Sequence, residues 1–152
     1  MNKIAKTDVL NFIGYQSPPT HWHTVTQEQI NQFADATLDH QFIHVDPIAA
    51  ANTPFGGTIA HGFLTLSLLS HFAESFGLNV EGVYMGVNYG FDSVRFLAPV
   101  AVDSRVRAQS KIIDIVEKQP GQFMFKTDIA VEIEGGEKPA LIATWLTMMM
   151  VK

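Results

Sequence analysis

The second half of the chain alternates, and that alternation constrains the fold more than any other feature. In VDSRVRAQSKIIDIVEK, Arg105, Arg107, Gln109 and Lys111 share one face, and Val102, Val106, Ala108 and Ile112 share the other. In FMFKTDIAVEIEGG, Phe123, Phe125, Ile129, Val131 and Ile133 lie opposite Lys126, Asp128, Glu132 and Glu134. A period of two is that of strands with one face buried and one face wet. Gly135-Gly136 predicts a hairpin turn. ALIATWLTMMMV is apolar on both faces, as a central strand is. GVYMGVNYGFDSVRF predicts one more strand, bulged or bent near Gly90.

The first half has a helical period. Thr26 is the expected N-cap of TQEQINQFADAT, whose Ile30, Phe33 and Ala34 make one apolar face. HWHTV before it reads as a short strand, and Asp46-Pro47 predicts a short helix with Pro at its first position. PFGGT is a loop by its Gly pair. HGFLTLSLLSHFAESF, residues 61–76, predicts one long helix buried on most sides and stopped by Gly77. Helices followed by antiparallel strands give an α+β fold, with the sheet packed on helix 61–76.

Composition narrows the function classes. With 152 residues, a single domain spanning 1–152 is expected. Charged residues are 16%, against about 25% in ordinary soluble domains, which favours a homodimer or other homo-oligomer with an apolar interface. The net charge is −5 and no basic run occurs, so no nucleic-acid partner is expected. Disulfides and thiol chemistry are excluded because there is no cysteine. No apolar run reaches the roughly 18 residues of a membrane span, and MNKIAKTDVLNFIGY carries no apolar signal core. The expectation is a soluble cytoplasmic protein without a membrane partner.

The chemistry concentrates in DHQFIHVD, residues 39–46. Asp39 and His44 diverge if the segment is helix or strand, and converge only if it is a turn. An Asp and a His brought together can position and activate one water. Alternatively, Asp39 ends the preceding helix and His44 is a core histidine. A zinc site drawn from His21, His23, His44 and Asp46 is a third reading, but no HExxH-type pattern supports it, and no metal is expected. In TIAHGFLTLS, Gly62 falls in the first turn of a helix, where Gly costs about 1 kcal/mol relative to Ala. It either lets a ligand oxygen reach the main-chain N–H or permits close helix–sheet packing. His61 packs or ties the GGT loop. Ser70, two turns on, shares a face near Gly62, and a Ser in an apolar helix usually bonds its own i−4 carbonyl.

DHQFIHVDPIAAANTPFGGTIAHGFLTLSLLS resembles the signature region of MaoC-like dehydratases, the (R)-specific enoyl-CoA hydratases, in their nodulation-protein-N-like branch. The shared pattern is an Asp, four residues, His-x-Asp, a short alanine-containing helix, and an apolar helix opened by His-Gly. YGFDSVRFLAPV also resembles the family's strand after that helix. The resemblance implies a hot-dog fold, with a long central apolar helix wrapped by an antiparallel sheet, paired as a homodimer. It implies reversible hydration of trans-2-enoyl-CoA to (R)-3-hydroxyacyl-CoA without metal or other cofactor. It places the catalytic pair on Asp39 and His44, the main-chain donor to the thioester oxygen on Gly62, and the helix serine on Ser70. Many members have Asn-Pro where this chain has Gln41-Phe42, and Gln41 keeps an amide that can orient Asp39 or the water. His61 is a further candidate for substrate contact. Phe63, Leu64 and Leu66 are candidates for an acyl tunnel. Arg95, Arg105, Arg107 and Lys111 are the available cations for CoA phosphates. Two other readings of the same residues are a hot-dog acyl-CoA thioesterase and a non-catalytic acyl-CoA binding protein.

Overall fold

The computed structural model describes residues 3–152. A 3₁₀ turn, Lys6–Phe12, precedes a two-residue strand β1, His23–Thr24. Helix α1, Gln27–Thr37, is capped by Thr26, whose hydroxyl accepts from the Gln29 N–H at 3.2 Å. Two short helices follow, α2 Phe42–Val45 and α3 Pro47–Ala51. Asp46 caps α3 by accepting from Ile48 and Ala49 N–H, with Pro47 in the first turn, where it sacrifices no intrahelical bond. Then come α4 Gly62–Ser67, α5 Leu69–Phe76, and strands β2 Val83–Phe96, β3 Arg105–Gln119, β4 Gln122–Ile133 and β5 Leu141–Val151.

The strands form one antiparallel sheet in the order β1-β3-β4-β5-β2. β5, apolar on both faces in the sequence, is paired on both sides. β2 is an edge strand, and its register with β5 shifts between Asn88 and Gly90, next to the glycine. The alternating faces of β3 and β4 resolve as read: Val106, Ala108, Ile112, Phe123, Phe125, Ile129 and Val131 are buried. β3 and β4 are joined at Pro120-Gly121, where Gly121 has φ +77 and a Cβ would run into the Val151 carbonyl oxygen. The main core lies between the α4–α5 segment and the sheet, with Phe72 2% exposed at its centre, and a second cluster gathers around Val9, Phe123 and Phe125.

The expected hot-dog arrangement, with one long apolar helix at the centre, is corrected by this structure. Residues 62–76 are two short helices, six and eight residues long, parted at Leu68, whose ψ of −13 departs from helical values. Just before the break, Ser67 Oγ–H donates to the Phe63 carbonyl at 2.7 Å, and such back-bonding bends helices. The segment is also less buried than its hydropathy suggests: Phe63 is 67% exposed, and Ser70 and His71 face outward. What stands is an α+β fold with a curled antiparallel sheet.

Truncating Phe72→Ala empties the centre of the main core. We expect a loss of about 3–5 kcal/mol in unfolding free energy, read as a lowered urea midpoint with an unchanged slope.

Candidate active site

The site begins where α1 ends. Leu38 takes the left-handed conformation, φ 63, and turns the chain out of the helix. Asp39 follows on the surface, its carboxylate accepting from the Gln41 main-chain N–H at 3.3 Å. The chain then winds into α2, which carries His44 inward to 7% exposure. The turn expected between Asp39 and His44 is therefore the single helical turn of α2, entered after the left-handed Leu38.

His44 is held from two sides. Its Nδ1–H donates to the Ile59 carbonyl at 2.7 Å, while the Ile59 N–H donates to the Ile43 carbonyl at 3.0 Å. A carbonyl only accepts, so this bond fixes the tautomer and leaves Nε2 with the lone pair. Among the described residues Nε2 has no hydrogen-bond partner, and the ring lines a cleft of about 330 Å³ shared with Phe55, Gly62, Thr65 and Phe96. Gln27, on α1, clamps the arrangement: its amide N–H donates to the His44 carbonyl at 2.8 Å, and its amide oxygen accepts from the Thr58 hydroxyl. Burial drives the His44 pKa below its ordinary 6.5. The Ile59 bond opposes that, the neighbouring His61 reinforces it, and Asp39 opposes it more weakly.

His61 is 3% exposed and stacks on His44, with ring centroids 3.8 Å apart and planes 23° from parallel. Its Nε2–H donates to the main-chain carbonyl of Asp39 at 3.0 Å, and its Nδ1 is buried without a partner. The Asp39 carboxylate is 3.9 Å from the same Nε2. Asp39, His44 and His61 thus offer ligand-type atoms within 4.8 Å of one another. Their geometry suits proton transfer better than metal binding. A metal lies in the plane of each imidazole that holds it, and two nearly parallel rings send their lone pairs side by side rather than to one point.

The structure gathers Asp39, His44, His61 and Gly62, and separates the others from them. Gly62 opens α4, where its N–H has no intrahelical partner. It also has a packing reason to be glycine, since a Cβ there would sit 3.0 Å from the Phe96 ring. The Gln41 side chain is exposed, and its main chain rather than its amide reaches Asp39. Ser70 lines a different cavity, of about 370 Å³, with Phe76, Phe125, Trp145 and Met148. Of the acyl-tunnel candidates, Leu64 is in the core and Phe63 is exposed. Arg105 and Arg107 are engaged by Glu134 and Glu132, whereas Arg95, exposed on β2, has no acidic partner among the described residues. His23 bonds Gln29, and Asp46 is a helix cap, so neither joins His44. Sequence reasoning missed Gln27, the Ile59 carbonyl and Thr65. Gln27 and Ile59 carry no local signal. Thr65 does: it stands three residues after Gly62, on the same helical face.

Residues 11–133 match the MaoC-like domain family. The chain belongs to that family. It is 47% identical over 149 residues to nodulation protein N of Rhizobium meliloti (strain 1021), covering 97% of this chain and 92% of that one. It is also 47% identical over 136 residues to 3-hydroxyacyl-thioester dehydratase Z of Mycobacterium tuberculosis (strain ATCC 25618 / H37Rv), covering 90% and 89%. Among solved structures, an Archaeoglobus monoamine oxidase regulatory protein superposes with a TM-score of 0.77 at 26% identity, covering 92% of this chain and 91% of that one. An (R)-hydratase from A. caviae involved in PHA biosynthesis shares the fold, with a TM-score of 0.72 at 24% identity and coverage of 89% and 94%.

A His whose folded pKa lies below its unfolded value takes up its proton more readily once unfolded. Its contribution to stability is constant above about pH 6.5 and falls as the solution is acidified through the window below it. Urea midpoints measured from pH 7.5 to 5 should therefore decline less for His44→Gln than for the wild type.

Proposed function

We propose that this MaoC-like chain catalyses the reversible hydration of trans-2-enoyl-CoA to (R)-3-hydroxyacyl-CoA. The observation that carries the reading is His44: a buried imidazole, tautomer fixed by the Ile59 carbonyl, with Nε2 open to a cleft beside Gly62. The 47% identity to a protein named as a 3-hydroxyacyl-thioester dehydratase supports the same chemistry.

In this reading the thioester carbonyl accepts from the Gly62 N–H, and a water sits between Asp39 and His44. His44 Nε2 takes one proton from the water while the oxygen bonds to C3. The electron pair of the C2–C3 double bond moves onto the thioester oxygen as an enolate, which holds its hydrogen bonds more strongly than the ground-state carbonyl. The enolate then collapses as C2 takes the proton back from the imidazolium. Asp39 orients the water and favours the imidazolium by its charge. A pKa held below 6.5 keeps His44 in its proton-accepting form at neutral pH. The cavity at Ser70, roughly 12 Å along from Gly62 at helical rise, gives the acyl chain an apolar place, and Arg95 and Lys111 are the candidate cations left for CoA phosphate.

The substrate partner comes with a second copy of the chain. β2 is a 14-residue edge strand, and Tyr84, Met85, Val87 and Tyr89 along it are all at least 40% exposed. A long apolar edge is normally covered or blunted with charge. Pairing two β2 strands into a homodimer covers it.

Asp39→Asn and His44→Gln should each lower hydration of crotonyl-CoA by about 100-fold or more, with circular dichroism unchanged. Turnover near that of the wild type in either variant rejects the assignment. Release of free thiol, followed with a thiol reagent while the enoyl thioester is consumed, would favour a thioesterase instead. The acid limb of kcat/KM should fall below pH 6.5, since it reports the free enzyme's essential base. In sedimentation, the double variant Val87→Lys/Tyr89→Lys should run as a monomer beside a dimeric wild type.

A further inference from the structure

Hydroxyls inside helices usually bond the carbonyl four residues back. Thr37 does so to Phe33 and Ser67 to Phe63, each at 2.7 Å. Thr65 does not. Its i−4 carbonyl, on His61, already accepts from the N–H groups of Leu64 at 3.0 Å and Thr65 at 3.3 Å, and so has no lone pair to spare. Thr65 is only 2% exposed, yet among the described residues its hydroxyl has no hydrogen-bond partner. A hydroxyl with no bond inside the fold is left for whatever enters the space beside it. The hydroxyl is not occluded, and Thr65 lines the cleft that holds His44 and Gly62. It is three residues on from Gly62, and helical side chains lean toward the N-terminus, so it leans over the first turn of α4.

We propose that the Thr65 hydroxyl donates a hydrogen bond to the thioester carbonyl oxygen of the acyl-CoA, and so is a catalytic residue that touches the developing enolate. The assignment rests on the hydratase reading of this cleft and names one more residue in it. The ligand's oxygen supplies the acceptor that the fold withholds from Thr65. As water adds at C3 and charge moves onto that oxygen, the bond shortens and strengthens. No proton leaves Thr65; the proton taken from water returns to C2 from His44. A donor whose bond strengthens in the transition state shows in kcat rather than in KM.

The test compares Thr65→Val, Thr65→Ala and Thr65→Ser with wild type in crotonyl-CoA hydration, with thermal melts alongside. The expected result is a fall in kcat of about 100-fold for Val and Ala, KM within about 3-fold, and recovery of most of the rate by Ser, which restores the hydroxyl. The melting temperature of Thr65→Val should stay close to that of wild type, because no hydrogen bond within the fold is lost. A kcat for Val and Ala within about 3-fold of wild type, a loss confined to KM, or a Ser variant as slow as Val overturns the assignment while leaving the hydratase reading in place. A wild type that hydrates no enoyl-CoA overturns both.

Discussion

One hydrogen bond organises this molecule's chemistry, that from His44 Nδ1 to the Ile59 carbonyl. It sets the tautomer, so the second nitrogen is a base rather than a donor. It also joins two parts of the chain that have no sheet in common. α2 is only four residues long and has little stability of its own. The paired bonds between residues 43–44 and Ile59, with Gln27 reaching both His44 and Thr58, hold that turn against the segment leading into α4. Together with the stacking of His44 on His61, they fix His44 relative to Gly62.

The two acidic and basic partners are placed in unlike surroundings. His44 is buried and Asp39 is half exposed, so burial acts on the imidazole and leaves the carboxylate in contact with water. That division suits a reaction in which water is a reactant: one group must meet the solvent and the other must be kept from protonating in it. His61 stands between them, stacked on one side chain and bonded to the main chain of the other.

The sequence was most legible where one physical signal dominated. Period two placed β3 and β4 with their faces the right way round, and a β-branched hydroxyl before QEQ marked the cap of α1. The spacing of Asp39 and His44 required a turn, and a turn is present, though the left-handed Leu38 before it could not be foreseen from a residue type that rarely adopts φ > 0. The long helix was misjudged because hydropathy counts side chains and takes no account of where a serine sends its hydroxyl; Ser67, not Ser70, is the one that bonds back. Ser70 was placed near Gly62 by helical face and by the family resemblance; the structure sets it two turns further on, lining a cavity with Phe76 and Trp145. Main-chain groups such as the Ile59 carbonyl are invisible to any reading of side chains.

Phe96 has a position that reaches beyond packing. It ends β2, an edge strand, and its ring lies against Gly62 on the rim of the cleft. The width of the cleft is therefore not a property of the helices alone. It is carried by the edge of the sheet, so whatever tethers or releases that edge also adjusts the mouth of the site.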